Sequence, residues 1–437
     1  MLSPAIVGFL VVAAILYFLM SKRLSAIVAL IAIPVIGAVL LGKTPEIGKH
    51  INAGILSVAP TGVMFIFSIL FFGLMRDNGA FDPIVGKIIK VANGNPVYVA
   101  IGTYIIAIIG HLDGAGATTF LLVVPAMLPI YDKMGMSKLV LVCCTAMGAG
   151  VMNLTPWGGP TLRAATALQM DVMALYKPLI IPQIVGVLSG FALAAYMGMR
   201  ERKRLGNSIS VGEVSTVVSY NAQVSEEELL LKRPKLIWFN ILLIIAVIGI
   251  MISGKIAPAP AFMLGTALAM IVNYPDSATQ RKLVDLHAKE AMLMAGVLFA
   301  AGVLMGVLKG TGMAKAMAQA MVTVIPADSG NMLVYLTGYI SVPLSFMFDP
   351  DSYYFGVMPI IVESVKALGI PAADIARASL MGQMTVGFPI SPLTPATFLL
   401  VGLAGVEMGD HQKFTFPFLW AISAIMMTTA IIIGVFN

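Results

Sequence analysis

Ten apolar runs, each close to the thickness of a bilayer, set the first limit on what this chain can become. They cover residues 2–20, 24–41, 58–75, 139–168, 178–199, 236–253, 258–272, 291–308, 375–405 and 416–436. At about 1.5 Å per residue, a helix of roughly 20 residues matches a hydrocarbon core of about 30 Å. Composition agrees. Of the residues 59% are hydrophobic and 11% charged, against roughly 25% charged in a soluble domain, so a water-facing surface cannot be covered. The 27 lysines and arginines, against 21 acidic residues, lie mostly in loops between the runs, and membrane topology explains them without nucleic acid. Run 2–20 reads as a true first span: no basic segment precedes it, and Lys22 and Arg23 follow directly. The adjacent Cys143 and Cys144 offer neither a disulfide framework nor a metal motif.

Two runs are interrupted at membrane depth, by NLTPWGGP at 153–160 and FPISPLTP at 388–395. Sliding the chain on itself by about 234 residues lays Gly79 on Gly312, Pro125 on Pro359, Gly148 on Gly382 and Pro160 on Pro395, so the two breaks belong to one repeated unit. Ahead of each break lies an apolar stretch with a polar centre, HLDGAGATT at 111–119 and DPDSYY at 349–354. Their arms, about a dozen residues each, are too short to span, which predicts re-entrant hairpins. Non-helical backbone survives at this depth only inside protein or beside a wet cavity, so both tips and both breaks should meet at one site.

With each hairpin leaving on the side it entered, every copy has five spans, an odd number, and the copies are inverted. The expected fold is an all-α polytopic membrane protein of two inverted repeats of five transmembrane helices, each with a re-entrant hairpin and a broken helix. The first repeat covers residues 1–199, with a hairpin at about 97–131 and a broken helix at 139–170. A cytoplasmic linker, 200–235, leads to the second repeat, 236–437, with a hairpin at about 331–366 and a broken helix at 375–406. Segments 81–92 and 312–325 read as matching interfacial helices. An external N-terminus puts most lysines and arginines inside, and leaves Lys309, Lys315 and Lys366 among those outside.

Ionisable residues within the apolar regions are few: His111, Asp113, Arg163, Asp349, Asp351 and, nearer an interface, Glu363. A charge at the bilayer centre costs at least a few kcal/mol, so such residues point to substrate, ion or proton handling. The aspartates would equally serve as caps for the second arm of each hairpin. NLTPWGGP exposes the start of a half-helix, whose free N–H groups suit a carboxylate and whose Gly158 and Gly159 permit close approach. Asn153 and Thr155 add polar groups there, as Ser391, Thr394 and Thr397 do in the second copy. Arg163, one turn into the half-helix, suits a substrate carboxylate or a counter-charge to Asp113. His111 fits a proton relay or a plain hydrogen-bonding role.

The strings LDGAGATTF at 112–120, MNLTPWGGPTLRAATAL at 152–168, SYYFGVMP at 352–359 and RERKRLG at 200–206 resemble the citrate-metal-proton symporter family of the ion transporter superfamily. The resemblance covers essentially the whole chain. It implies a secondary transporter of the plasma membrane, not an enzyme, that takes up citrate complexed with a divalent cation, Mg2+ or Ca2+, driven by protons. It also implies a homodimer working as an elevator, with no tightly bound cofactor. By the same resemblance the substrate lies among Asp113, Gly114, Thr118 and Thr119 of the first tip, Ser352 and Tyr353 of the second, and both breaks. Asp113, Asp349 and Asp351 are the expected metal-facing carboxylates, and with His111 the expected proton-coupling groups. Ala115 stands where the family often has a second acidic residue at the tip.

Charge favours the complex: trivalent citrate needs several cations where Arg163 stands alone, whereas citrate with Mg2+ carries one negative charge, and hard divalent ions take oxygen ligands. A sodium-coupled or metal-free carrier of di- and tricarboxylates is the nearest alternative. An intramembrane aspartic protease is the remote one, since such an enzyme needs two carboxylates but no inverted hairpins.

Overall fold

Hydrocarbon offers no water to bond a peptide group, so each apolar run closes its hydrogen bonds within itself as a helix. The computed structural model describes residues 3–91, 94–206, 226–322 and 330–436, and among them no strand occurs. The chain opens with α1 (Pro4–Met20) and α2 (Ala26–Leu40). A long α3 (Ile47–Asp77) and a short amphipathic α4 (Asp82–Val91) follow, then the pair α5 (Pro96–Gly110) and α6 (Gly116–Met134). A broken pair, α7 (Lys138–Met152) and α8 (Gly159–Leu168), leads through the short α9 (Val172–Tyr176) to α10 (Ile180–Leu205).

After α11 (Glu226–Leu231), α12 (Ile237–Ser253) and α13 (Pro258–Asn273), the same order returns: a long α14 (Ser277–Gly310), then a short α15 (Met313–Val322). The second hairpin is built from α16 (Gly330–Tyr339), α17 (Ser341–Met347), a single turn α18 (Pro350–Ser352), a π-helical stretch Tyr353–Val357 and α19 (Met358–Ala367). A broken pair, α20 (Ala372–Leu380) and α21 (Pro395–Ala404), and the long α22 (Met408–Ile432) complete it. Of the expected linker, residues 207–225 lie outside the described residues, as do 92 and 323–325 of the two interfacial segments.

All ten apolar runs fall on helices, but their lengths differ from expectation. Six helical stretches among the described residues are long and apolar enough to cross a membrane: Thr44–Asp77, Pro96–Asp113, Val172–Leu205, Pro234–Ser253, Ser277–Gly310 and Met408–Ile432. The first hairpin's arms are 15 and 19 residues, longer than the dozen expected, so length alone would let the first of them cross. It does not continue, because the chain reverses at Gly114, whose φ of 75° favours glycine. The arms then run side by side, with Thr103 Oγ1 3.1 Å from Tyr131 Oη. In the second hairpin, the ends close where Gly330 packs on Ile370. The second break is also wider than expected, since α20 ends at Leu380 and Met384 adopts φ 52°.

Local signals place the helix ends. Asn95 caps α5, accepting from Val97 N at 3.0 Å, with Pro96 as the first helical residue. Asp276 caps α14 by accepting from Thr279 N at 2.7 Å, and that bond holds its carboxyl below the usual carboxylate range. The cap starts α14 well before its apolar run at 291–308, in a polar stretch that hydropathy does not mark as a span.

The antiparallel pair α3 and α14 forms the spine against which the rest packs. Gly54 faces Gly302 and Gly306 at the crossing, where an added Cβ would collide with the backbone opposite. Small residues let helices approach closely in a membrane, where dispersion rather than water drives association. Gly302→Leu should therefore separate the pair and lower thermal stability in detergent by about 1–3 kcal/mol, measured by thermal unfolding, while Gly409→Leu, at a glycine with open space around it, should leave stability unchanged.

Candidate functional site

The first break forms because α7 ends at Met152, with Asn153 as its C-cap, and α8 restarts only at Gly159, after TPW has turned the chain. Asn153 Nδ2 donates to the carbonyl of Met384, 2.7 Å away in the second break, so the two interruptions hold each other. Trp157 Nε1 donates to Leu112 O at 2.7 Å and ties the first break to the first hairpin tip. In the second break Ser391 Oγ donates to Ser345 O at 2.5 Å, and Ser345 Oγ accepts from Met384 N at 2.9 Å, which fastens it to α17. Thr394 and Thr397 both donate to Phe388 O, at 3.0 and 2.9 Å.

Between these pieces lies a cavity of about 170 Å³. Its wall takes His111, Gly114 and Gly116 from the first tip, Asn153, Gly159, Pro160 and Arg163 from the first break, and Pro350 from the second tip. Met384, Phe388, Thr394, Pro395 and Ala396 come from the second break, and Met294 from α14. Drug-sized ligands occupy roughly 300–1,000 Å³, so this space suits a small solute. Three helices begin at the cavity: α6 at Gly116, α8 at Gly159 and α21 at Pro395. Their N-cap residues, Ala115, Gly158 and Thr394, make no side-chain capping bond. Each such end carries about half a positive charge and N–H groups open to an anion, except at Pro160 and Pro395, which have none, and at Thr397, whose N–H bonds Thr394 O at 3.2 Å.

The charged residues are already paired. Arg163, with 8% of its side chain exposed, bonds Asp351 from Nε to Oδ1 at 2.6 Å, and its Nη2 lies 3.7 Å from Met294 Sδ. The option that Arg163 balances Asp113 is thus corrected. Asp113 instead bonds Arg76, Nη1 to Oδ2 at 3.0 Å, and accepts from Thr118 Oγ1 at 2.6 Å and Ala115 N at 2.9 Å. Arg76 sits in the last turn of α3, which the sequence reads as a cytoplasmic end, and a long guanidinium arm carries its charge back to the tip. Asp77 beside it bonds His287 Nε2 at 2.8 Å. Arg163 is therefore not the lone cation near the site.

Asp349 caps its own turn, accepting from Asp351 N at 2.9 Å, Ser352 N at 3.0 Å and Ser352 Oγ at 2.6 Å. Asp113, Asp349 and Asp351 thus each bond a different partner. Among the described residues no cluster of three metal-ligating side chains occurs. His111 is fully buried, its Nδ1 2.8 Å from Thr119 Oγ1 and its ring stacked on Phe388 at 5.3 Å. Its Nε2 has no hydrogen-bond partner among the described residues.

Of the residues singled out by sequence, His111, Gly114, Asn153, Gly159, Arg163 and Thr394 line the cavity. Thr118, Thr119, Ser352, Ser391 and Thr397 stand behind it, committed to the bonds already described, and Gly158 serves as the N-cap of α8. Tyr353 is fully buried and bonds Ser379 Oγ at 2.8 Å. Thr155 lies on the far side of the break, in a separate apolar groove with Trp157. Glu363 pairs with Lys366 at 2.8 Å, away from the site. Sequence reasoning missed Arg76, Met294, Met384 and Phe388. Only Phe388 carried a local signal, its place at the start of the second break.

A sequence model of the CitMHS citrate transporter family matches residues 9–382. A citrate transporter of Bacillus subtilis (strain 168) is 42% identical over 435 residues, 99% of each chain. A Mg2+/citrate complex secondary transporter of the same organism is 40% identical over 428 residues, 98% of this chain and 97% of that one. Among solved structures, the YdaH transporter of Alcanivorax borkumensis superposes with a TM-score of 0.62 at 12% identity, over 90% of this chain and 89% of its own. MtrF of Neisseria gonorrhoeae superposes with a TM-score of 0.63 at 14% identity, over 90% and 84%. At such identities the likeness is one of fold.

The Arg163–Asp351 pair links the first break to the second tip and is testable by itself. Arg163→Leu and Asp351→Leu should each lower thermal stability, because each strands a charge. The double variant should recover part of the loss, with a coupling of about 0.5–3 kcal/mol in a thermal-unfolding cycle.

Proposed function

The chain belongs to the citrate transporter family, and we propose that it carries citrate as a complex with a divalent cation, coupled to protons, by an elevator movement. It is a multi-pass plasma-membrane transporter, not an enzyme. The observation that carries the proposal is the meeting of three uncapped helix starts at one small cavity beside an arginine already neutralised by Asp351.

The charge balance explains why the metal would accompany citrate. Three helix ends of about half a charge each suit one negative charge far better than three. Arg163 and Arg76 add little net attraction while Asp351 and Asp113 hold them. Citrate with Mg2+ or Ca2+ meets that requirement, and one relative at 40% identity is a Mg2+/citrate complex transporter. The ion then travels as part of the substrate, coordinated mainly by citrate oxygens, which fits carboxylates in the protein that are otherwise engaged. The backbone N–H groups opening α6, α8 and α21 would hold the free carboxylate oxygens. His111 Nε2, Asn153 and Thr394 would orient the hydroxyl and carboxylate groups.

Proton coupling is assigned to Asp113 and Asp351, whose partners would change as substrate arrives. Their separate pairing also leaves no proton-sharing carboxylate dyad of the kind an aspartic protease needs. For the movement, the two inverted repeats would supply a mobile body of hairpins and broken helices that slides along α3 and α14. Met294 and Met305 of α14 face that body, and their flexible thioethers suit a sliding contact. We assign a homodimer as the working unit, its partner surface drawn from the apolar faces of the remaining helices.

The test is uptake of labelled citrate into proteoliposomes holding the full chain. With an inward proton gradient, uptake should require Mg2+ or Ca2+, fall to background in EDTA, and collapse when a protonophore is added. Uptake that survives EDTA would overturn the metal-complex reading, and uptake that follows a sodium gradient instead would overturn proton coupling. Asp113→Asn should reduce transport at least tenfold while the protein remains folded by thermal unfolding.

A further inference from the structure

A second, larger cavity of about 470 Å³ lies among Leu168 and Gln169 at the end of α8, Met305 and Lys309 on α14, Lys315 and Gln319 on α15, and Glu363 and Lys366 on α19. Three of the elements around it also reach the small site. Helix α8 has Gly159 and Arg163 at the site and Leu168 at this cavity; α14 has Met294 at one and Met305 at the other. The second hairpin has Pro350 at one and Pro359 at the other. The two cavities are separate and lie toward opposite ends of the packed seam between these elements, about 15 Å apart along the ten-residue α8, whose residues 161–166 between them are buried. The Arg163–Asp351 pair lies within that seam.

The described wall of the larger cavity carries three lysines against one glutamate. Lys366 Nζ bonds Glu363 Oε1 at 2.8 Å, and Lys309 Nζ donates to Gln169 Oε1 at 3.2 Å, so a positive excess remains. Helix stability accounts for two of the lysines, because Lys309 and Lys366 stand in the last turns of α14 and α19, where a cation is favourable. It does not account for Lys315, which stands in the first turn of α15, where the helix dipole opposes it. Nor does topology, since all three lysines fall on the side that the positive-inside rule leaves poor in lysine and arginine.

We infer that this lysine-lined cavity is a capture site for the anionic carboxylate substrate, which waits there before passing along the seam to the transport site. The inference rests on the transport reading above and adds a second station to it. A positive, partly enclosed cleft concentrates anions and speeds their arrival roughly 10-fold or more, an effect that salt screens.

The experiment compares the full-length wild type with the triple variant Lys309→Gln, Lys315→Gln, Lys366→Gln and with the triple lysine-to-arginine variant. All are reconstituted in neutral phosphatidylcholine vesicles and assayed for Mg2+-citrate uptake at low and at high salt. The glutamine variant should show a KM raised about fivefold at low salt and under twofold at high salt, with kcat retained, and the arginine variant should keep the wild-type KM. An unchanged KM, or a fall in kcat at constant KM, would overturn the inference while leaving transport intact. So would a KM effect that arises only when anionic phosphatidylglycerol is added, because the lysines would then serve a lipid headgroup. No uptake by the wild type itself would bring down the transport reading, and this inference with it.

Discussion

Backbone that leaves the helix inside a membrane must find hydrogen-bond partners in the protein, and this requirement organises the molecule. Each break closes in part on something other than itself. Asn153 reaches across to Met384 O, Trp157 to Leu112 O, Ser391 to Ser345 O, and Tyr354 Oη to Gln383 O at 2.8 Å. These bonds cross between the two halves or between hairpin and break, so neither broken helix is satisfied without its neighbours. The interruption that exposes helix starts to an anion is thus also the feature that locks the hairpins, the breaks and the cavity into one body.

The electrostatics follow the same pattern. A charge buried at this depth is tolerated when paired, and every carboxylate at the tips has a partner: Asp113 with Arg76, Asp351 with Arg163, Asp349 with its own turn. Pairing leaves fixed partial charges, the helix starts, as the main positive feature facing the cavity. In the proposed transport site they would cost no reorganisation when substrate binds, and their strength would suit a solute close to monovalent. Two of the pairs also join separate elements, Arg76 of the α3 spine to the first tip and Arg163 of α8 to the second. Any movement of the tips relative to α3 must exchange the first of these pairs.

Much of this arrangement is legible in the sequence, and for definite reasons. The length of the apolar runs places the helices, proline and glycine at membrane depth mark the breaks, and the repeat near 234 residues pairs them. The polar tips stand out because polar clusters are rare in apolar stretches. Side-chain reach is what stayed hidden. Arg76 looks like a loop cation until α3 brings its last turn beside the first tip. Thr155 looks like a site hydroxyl, yet it lines the separate apolar groove beside Trp157. Ser352 and Tyr353 belong to a family motif, yet their hydroxyls hold Asp349 and Ser379.

The sequence by itself determined that this chain lives in lipid, that two similar units build it, that each is interrupted at membrane depth, and that carboxylate chemistry gathers at the tips. Those facts follow from solvation: apolar length, breaker residues and buried charge act locally along the chain. Only the tertiary structure decided which charges meet, because ion pairs such as Arg163–Asp351, 188 residues apart, depend on how helices pack and not on what surrounds each residue in sequence. Packing likewise turned four separate motifs into one cavity, and it ran the seam of α8, α14 and the second hairpin from that cavity to the lysines at its far end.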